Sequence, residues 1–192
     1  MAPSSATPAA TGPADASTAS AAESSAAAAA SAVAAGEPEC TAAGLEVSSG
    51  AYDAGAGHSS LTLTFTDNSA VPCFVQGYPG VALDLPGGGA YNAERTMIGY
   101  MGGDDAQSPA RVLLAPEESA SALIEWLHFP KSGVGVTADD CPGYAAVALA
   151  VTAPDQTTPA RLAAPDPVSP VCWGFEVHPV VAGSTGQFPG PS

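Results

Sequence analysis

Residues 58–85, HSSLTLTFTDNSAVPCFVQGYPGVALDL, decide the fold. Leu61, Leu63 and Phe65 alternate with Thr62, Thr64 and Thr66. That period of two is the signature of a strand with one face on a core, and it predicts a solvent-facing Thr row. Asp67-Asn68-Ser69 is a turn cluster. A second strand starts at Cys73 and runs through Phe74 and Val75. It breaks at Gly77-Tyr78-Pro79-Gly80 and resumes as Val81, Leu83 and Leu85. A proline inside a strand marks an edge, a bulge or a passage between sheets. A change of sheet is expected at this break.

Upstream, Leu45-Glu46-Val47 predicts a first short strand, and residues 50–57 a turn region of Gly, Ala and Asp. Downstream, Pro86-Gly87-Gly88-Gly89 ends a strand. Residues 90–108 read as irregular, anchored by Met97, Ile98, Tyr100 and Met101. Val112-Leu113-Leu114 predicts a strand. Ala115-Pro116-Glu117-Glu118 predicts a turn with proline at its favoured second position. In residues 120–129, Ala122, Ile124 and Trp126 share one face, and Leu123, Glu125 and Leu127 the other. Ala and Glu make helix the competing reading. The branched and aromatic residues, and the preceding turn, favour strand. Residues 145–151, AAVALAV, read as a buried strand with Val147, Leu149 and Val151 inward, and residues 159–163 and 171–181 supply the last strands. About seven to nine short strands with frequent turns predict an all-β protein, an immunoglobulin-like antiparallel β-sandwich over residues 39–182.

Residues 1–38 are Ala, Ser, Thr, Pro and Gly with almost no large apolar side chain. Such a segment buries too little to offset its ordering entropy, so it predicts a disordered linker that spaces the domain from its attachment. Residues 183–192 predict a flexible tail. Over the chain, 4 Lys and Arg oppose 19 Asp and Glu, a formal net charge of −15. That field repels nucleic acid and anionic lipid, and suits solubility at a cell exterior.

The four cysteines, Cys40, Cys73, Cys141 and Cys172, form no CxxC and no zinc-finger spacing with histidine. An even, widely spaced set suits two disulfides in an oxidising compartment, against a reduced cytosolic reading. Three connectivities are open. Strand order selects among them. Cys40 precedes the first strand and Cys73 follows the next, so antiparallel neighbours bring both to one end. Cys141 precedes the AAVALAV strand, and Cys172 returns to that end. Cys40–Cys73 and Cys141–Cys172 are the expected pairs. Export should accompany them, yet residues 2–18 carry no basic start and no apolar core of a signal, and Cys40 follows Glu37-Pro38-Glu39 rather than a lipobox. The expected location is extracellular or cell-envelope, with any membrane tether in an anchor outside this sequence.

These features resemble the actinobacterial family of domain of unknown function 4232. The resemblance rests on Cys40, Leu61 to Asn68, Pro72-Cys73, Gly77-Tyr78-Pro79-Gly80-Val81, Leu114-Ala115-Pro116, Cys141 and Cys172. It spans about residues 40–181, and Pro72-Cys73 followed by Gly77 to Val81 is its specific part. It implies an exported or lipid-anchored envelope domain, often behind a Ser/Thr/Ala/Pro linker. It supplies no catalytic residues.

No catalytic motif stands out. There is no GxSxG, and nothing in the spacing joins His58, His128 or His178 to a serine and an acid. Asp104-Asp105 and Asp139-Asp140 are the paired carboxylates; neither lies in an EF-hand pattern, so loop charge is expected rather than calcium. Met97, Met101 and His128 are soft donors for copper if they converge; core filling under a long loop is the competing reading. Gly87-Gly88-Gly89 opens no helix and is a turn, not a phosphate loop. Trp126 and Trp173 are expected in the core or at its edge. Trp173, if exposed beside Phe175 and Tyr144, would form a contact surface. The expectation is a non-enzymatic module that binds an envelope protein, a glycan or a wall component, with no cofactor and no metal. The alternative is a metal or small-ligand carrier using residues 90–108.

Overall fold

A computed structural model describes residues 36–97, 109–128, 148–164 and 171–186. Twelve strands make up the secondary structure there, with no helix among the described residues. In order they are β1 (Leu45–Gly55), β2 (His58–Asp67), β3 (Cys73–Gln76), β4 (Gly80–Asp84), β5 (Ala90–Asn92) and β6 (Glu94–Arg95). Then come β7 (Arg111–Leu114), β8 (Ser119–Leu127), β9 (Ala148–Thr152), β10 (Ala160–Ala163), β11 (Trp173–Val177) and β12 (Val181–Ala182).

Three sheets result. The largest has the order β1-β2-β8-β11-β6, with β12 also on β8. The second is β10-β9-β4-β5, and the third pairs β3 with β7. Pairing is antiparallel except between β6 and β11. The large sheet turns Leu61, Leu63 and Phe65 of β2 and Ala122, Ile124 and Trp126 of β8 into one buried cluster. Val81 and Leu83 of β4 and Leu149 and Val151 of β9 enter the same cluster from the second sheet. Leu61, Ile124 and Trp126 face Leu83 and Leu149 across a small apolar gap, so the sheets pack face to face, as in a β-sandwich. The strand expected over residues 120–129 is β8, described as Ser119–Leu127, and it is central, paired with β2 on one side and β11 on the other.

The Gly77–Gly80 break acts as expected. Before it, β3 pairs with β7; after it, β4 pairs with β9 and β5. The chain thus leaves one sheet and enters another across four residues. Gly77 has φ 98°, a left-handed value open to glycine at little cost.

Four expectations need correction. Residues 50–55 are not a turn: β1 continues to Gly55 and absorbs a bulge opposite Thr62, its register stepping between Ser49 and Tyr52. Only Ala56 (φ 50°) and Gly57 (φ 83°) turn, both left-handed, as a two-residue type I′ hairpin demands. Residues 90–95 are not irregular but hold β5 and β6, because the three glycines, each at positive φ, fold the chain back on β4. The Thr row is not plain surface. Thr62 is 3% exposed, and residues 183–186 cross the outer face. There the Ser121 hydroxyl donates to the Gly183 carbonyl at 2.7 Å, and the Gly186 N–H donates to Ser121 Oγ at 2.8 Å. Finally, Phe175 is 3% exposed and stacks on Tyr91 at 5.8 Å between ring centres, so it belongs to the core and not to a contact surface.

Cys40 and Cys73 form a disulfide with Cα atoms 4.9 Å apart. The entry segment reaches it by bonding to β3: Cys40 N–H donates to the Phe74 carbonyl and Phe74 N–H to the Pro38 carbonyl, both at 2.9 Å. This parallel bridge puts the first cysteine beside the second. Closing a separation of 33 residues stabilises the fold by roughly 3–4 kcal/mol in the chain-entropy model. Cys172 is disulfide-bonded as well. Its expected partner Cys141 lies outside the described residues, as do Tyr144, Met101, both Asp pairs and residues 1–35 and 187–192.

Candidate functional site: a polar cleft at the sheet crossing

The passage from β3 to β4 leaves an open cleft of about 830 Å³. Gln76, Gly77, Tyr78 and Gly80 form one wall, so the residues that break the strand also line the cleft. Thr152 and the turn after β9, through Asp155, Gln156 and Thr157, form another, and Arg95 closes a third side from β6. Each position has a local cause. Gly80 pairs with Thr152, and a Cβ there would sit 3.4 Å from the Thr152 side chain. The Val180 N–H donates to the Gly77 carbonyl at 2.9 Å and fixes the break from behind. Gln156 is held by its own amide, which donates to the Cys40 carbonyl and accepts from the Ala42 N–H, both at 3.0 Å. The disulfide end of the domain and the cleft are therefore one braced unit.

The lining is polar and largely neutral. Burial pushes the Tyr78 phenol above its ordinary value, so the hydroxyl stays protonated at physiological pH and can both donate and accept. Gln76 donates to the Pro109 carbonyl at 3.0 Å through one nitrogen hydrogen, leaving its oxygen available. Pockets of this size suit small ligands, with a few placed polar groups setting orientation.

Two other polar clusters hold the groups that chemistry would need; in the first only the serine is buried, beside an exposed Tyr52 and a half-buried His128, and in the second the acid and the histidine are both buried. In the first, His128 Nε2 lies 2.6 Å from Ser59 Oγ, and the Tyr52 hydroxyl lies 2.8 Å from the same oxygen. Burial, and then the like charge of His58, hold His128 below the ordinary histidine value. In one tautomer Nε2 accepts the Ser59 hydrogen and Tyr52 donates to Ser59; in the other Nε2–H donates to Ser59, which donates to Tyr52. The first is the hydrogen-bond pattern of a nucleophile and its base. Ser59, however, is 1% exposed, and among the described residues no carboxylate orients His128. Sequence gave no hint of the pairing, since Ser59 and His128 are 69 residues apart and meet only because β2 and β8 are neighbours.

The second cluster joins Glu125, His178, Thr96 and Glu176. His178 Nδ1 faces the Thr96 carbonyl at 3.0 Å and must donate to it. The Nε2 contact with Glu125 Oε2, at 3.0 Å, then holds one further proton, whichever atom keeps it. Glu125 is 1% and His178 3% exposed. The Thr96 hydroxyl continues the network to Glu176 at 3.2 Å. Its role is to satisfy buried polar groups where β6 docks on β11.

Of the remaining candidates, Trp126 is buried and Trp173 half-buried. Pro72 sits half-buried before Cys73, and Pro79 is buried under the break. Among the described residues no three His, Cys, Asp or Glu side chains converge as metal ligands, and no helix is long and apolar enough to cross a membrane.

Fold and cleft together define an all-β domain, pinned by a disulfide where its entry segment meets the sheet crossing. The chain belongs to the family described as Domain of unknown function (DUF4232), whose model matches residues 40–181. That span runs from the first bridged cysteine to β12 and includes every residue of the cleft named above. No curated protein and no solved structure matches the chain.

Proposed function

We propose that this protein is a non-enzymatic binding module of the cell exterior, and that its ligand occupies the cleft at the sheet crossing. One observation carries the reading. The open cleft presents hydrogen-bonding side chains on a braced frame, while the one hydroxyl paired with a histidine ring nitrogen as a nucleophile would be, Ser59 Oγ, belongs to a residue only 1% exposed. The disulfide and the net charge of −15 support an exported, envelope-associated location. The family gives no activity to transfer, and fold alone supplies none. The partner classes in this reading are an envelope protein, a glycan or a wall component, and the cleft takes a ligand or ligand segment of small-molecule size.

Two structural details belong to the same proposal. An immunoglobulin-like arrangement is supported by face-to-face sheets and mostly antiparallel pairing. A second disulfide between Cys141 and Cys172 is supported by Cys172 being bonded while Cys40 and Cys73 bond each other. Non-reducing peptide mapping that joined Cys172 to another chain would refute it.

The functional reading is tested by screening the purified protein against arrays of glycans and of peptides, then repeating the hits with Gln76→Ala/Thr157→Ala. Both positions are exposed, so the fold should survive. The expected result is a hit weakened about tenfold, the size of one or two lost polar contacts. Turnover of an ester or glycoside panel that is lost in Ser59→Ala would sink the non-enzymatic reading.

A further inference from the structure

The distribution of charge sharpens what the cleft takes. With only 4 Lys and Arg against 19 Asp and Glu, each cation in this chain stands out. Arg111 lies 3.5 Å over the Phe74 ring and donates to the Glu37 carbonyl at 2.7 Å. Arg161 pairs with Asp84. Lys131 lies outside the described residues. Arg95 differs from both described arginines: it is exposed, lines the cleft, and makes no ion pair or side-chain hydrogen bond among the described residues. Asp155 lines the same cleft from the turn between β9 and β10, exposed, at φ 55°, and it too has no ion pair. The two are not paired with each other.

Opposite charges that share a cleft without neutralising each other make a dipolar site. A ligand with excess negative charge must enter against a net charge of −15 and pass Asp155. A simple cation satisfies Asp155 but meets Arg95. A ligand carrying one charge of each sign crosses the field without net cost and satisfies both side chains. Between the poles, Gln76, Tyr78 and Thr152 offer neutral hydrogen bonds to its body.

We propose that the cleft binds a small zwitterion, an unblocked amino acid or short peptide, with its carboxylate on Arg95 and its ammonium on Asp155. This rests on the cleft being the binding site. The guanidinium suits a carboxylate because its planar fork can bond both oxygens.

The experiment screens the full chain by thermal shift against free amino acids and unblocked dipeptides, with neutral and uronic-acid oligosaccharides in parallel. The best amino acid or dipeptide then goes to calorimetry as its free, N-acetylated and C-amidated forms. Binding of the free form is expected, weakened at least about tenfold by either block, since each removes a charged hydrogen bond. Arg95→Gln should weaken the free form about tenfold and leave the amide unchanged. Asp155→Asn, which keeps a residue tolerant of positive φ, should do the same against the acetylated form. Circular dichroism confirms that both variants fold. The zwitterion assignment is overturned if blocked and free forms bind alike. It is also overturned if only oligosaccharides bind; when that binding is lost in Gln76→Ala, the cleft reading stands. If neither set binds, the assignment and the cleft reading fall together.

Discussion

The open cleft and the Tyr52–Ser59–His128 cluster, with its buried serine, are both polar, yet they are built for opposite ends. In the cluster every partner is committed: one serine oxygen lies within 2.8 Å of both a histidine and a tyrosine, at 1% exposure. In the cleft the side chains are fixed from behind and left open in front. Gln156 is tied to Cys40 and Ala42, while the side chains of Arg95 and Asp155 make no ion pair or hydrogen bond among the described residues. The serine oxygen able to do chemistry is thus buried, and the side chains able to recognise line an open cleft. Polar groups alone do not identify a site; what they are already bonded to does.

The largest effect should come from the second polar cluster, the buried Glu125–His178 pair. Replacing His178 by Leu leaves Glu125 buried without its imidazole, and a loss of about 3–5 kcal/mol is expected in urea unfolding. A loss under about 1 kcal/mol would mean that water or another group serves Glu125 equally well. Next in size is the brace behind the cleft. Cys40→Ser/Cys73→Ser should cost roughly 3–4 kcal/mol, measured the same way under non-reducing conditions.

A pH titration separates the two regions more finely. His128 in the folded protein titrates below the ordinary histidine value, whereas in the unfolded chain it titrates near about 6.5. The unfolded chain therefore takes up the proton first as the pH falls. Stability should decline below about pH 6.5 and level off once folded His128 is also protonated. His128→Gln should flatten that slope, and an unchanged slope would show that other groups cause it. The smallest expected effect is at the hairpin beside Ser59. Ala56→Gly relieves a left-handed alanine and should gain about 0.5–1 kcal/mol. No gain would indicate that the turn relaxes in solution.

Where a residue's own neighbours in sequence set its environment, the reading succeeded. Leu61, Leu63 and Phe65 fix the core face of β2, and Gly77 to Gly80 mark the change of sheet, because local backbone chemistry decides both. The pairing of Cys40 with Cys73 followed from strand order. Failures arose where distant chain decides. Thr62 looks like surface until residues 183–186 cross it, and Phe175 looks available until Tyr91 stacks on it. Residues 50–55 look like a turn because Gly and Ala are poor strand formers. Pairing with β2 overrides that propensity, and the bulge at Gly50 and Ala51 absorbs the misfit. The cleft itself was half legible: its glycines were recognised as the specific motif, but Arg95 and Asp155 come from segments with no pattern of their own.

The contrast between open and enclosed polar groups is tested most directly by amide chemical shifts of isotope-labelled protein, titrated with the best hit of the ligand screens. Shifts concentrated at residues 76–80, 95 and 152–157 are expected. Shifts centred instead on Tyr52, Ser59 and His128 would contradict the contrast, because the cluster around the buried serine would then be the site a ligand reaches.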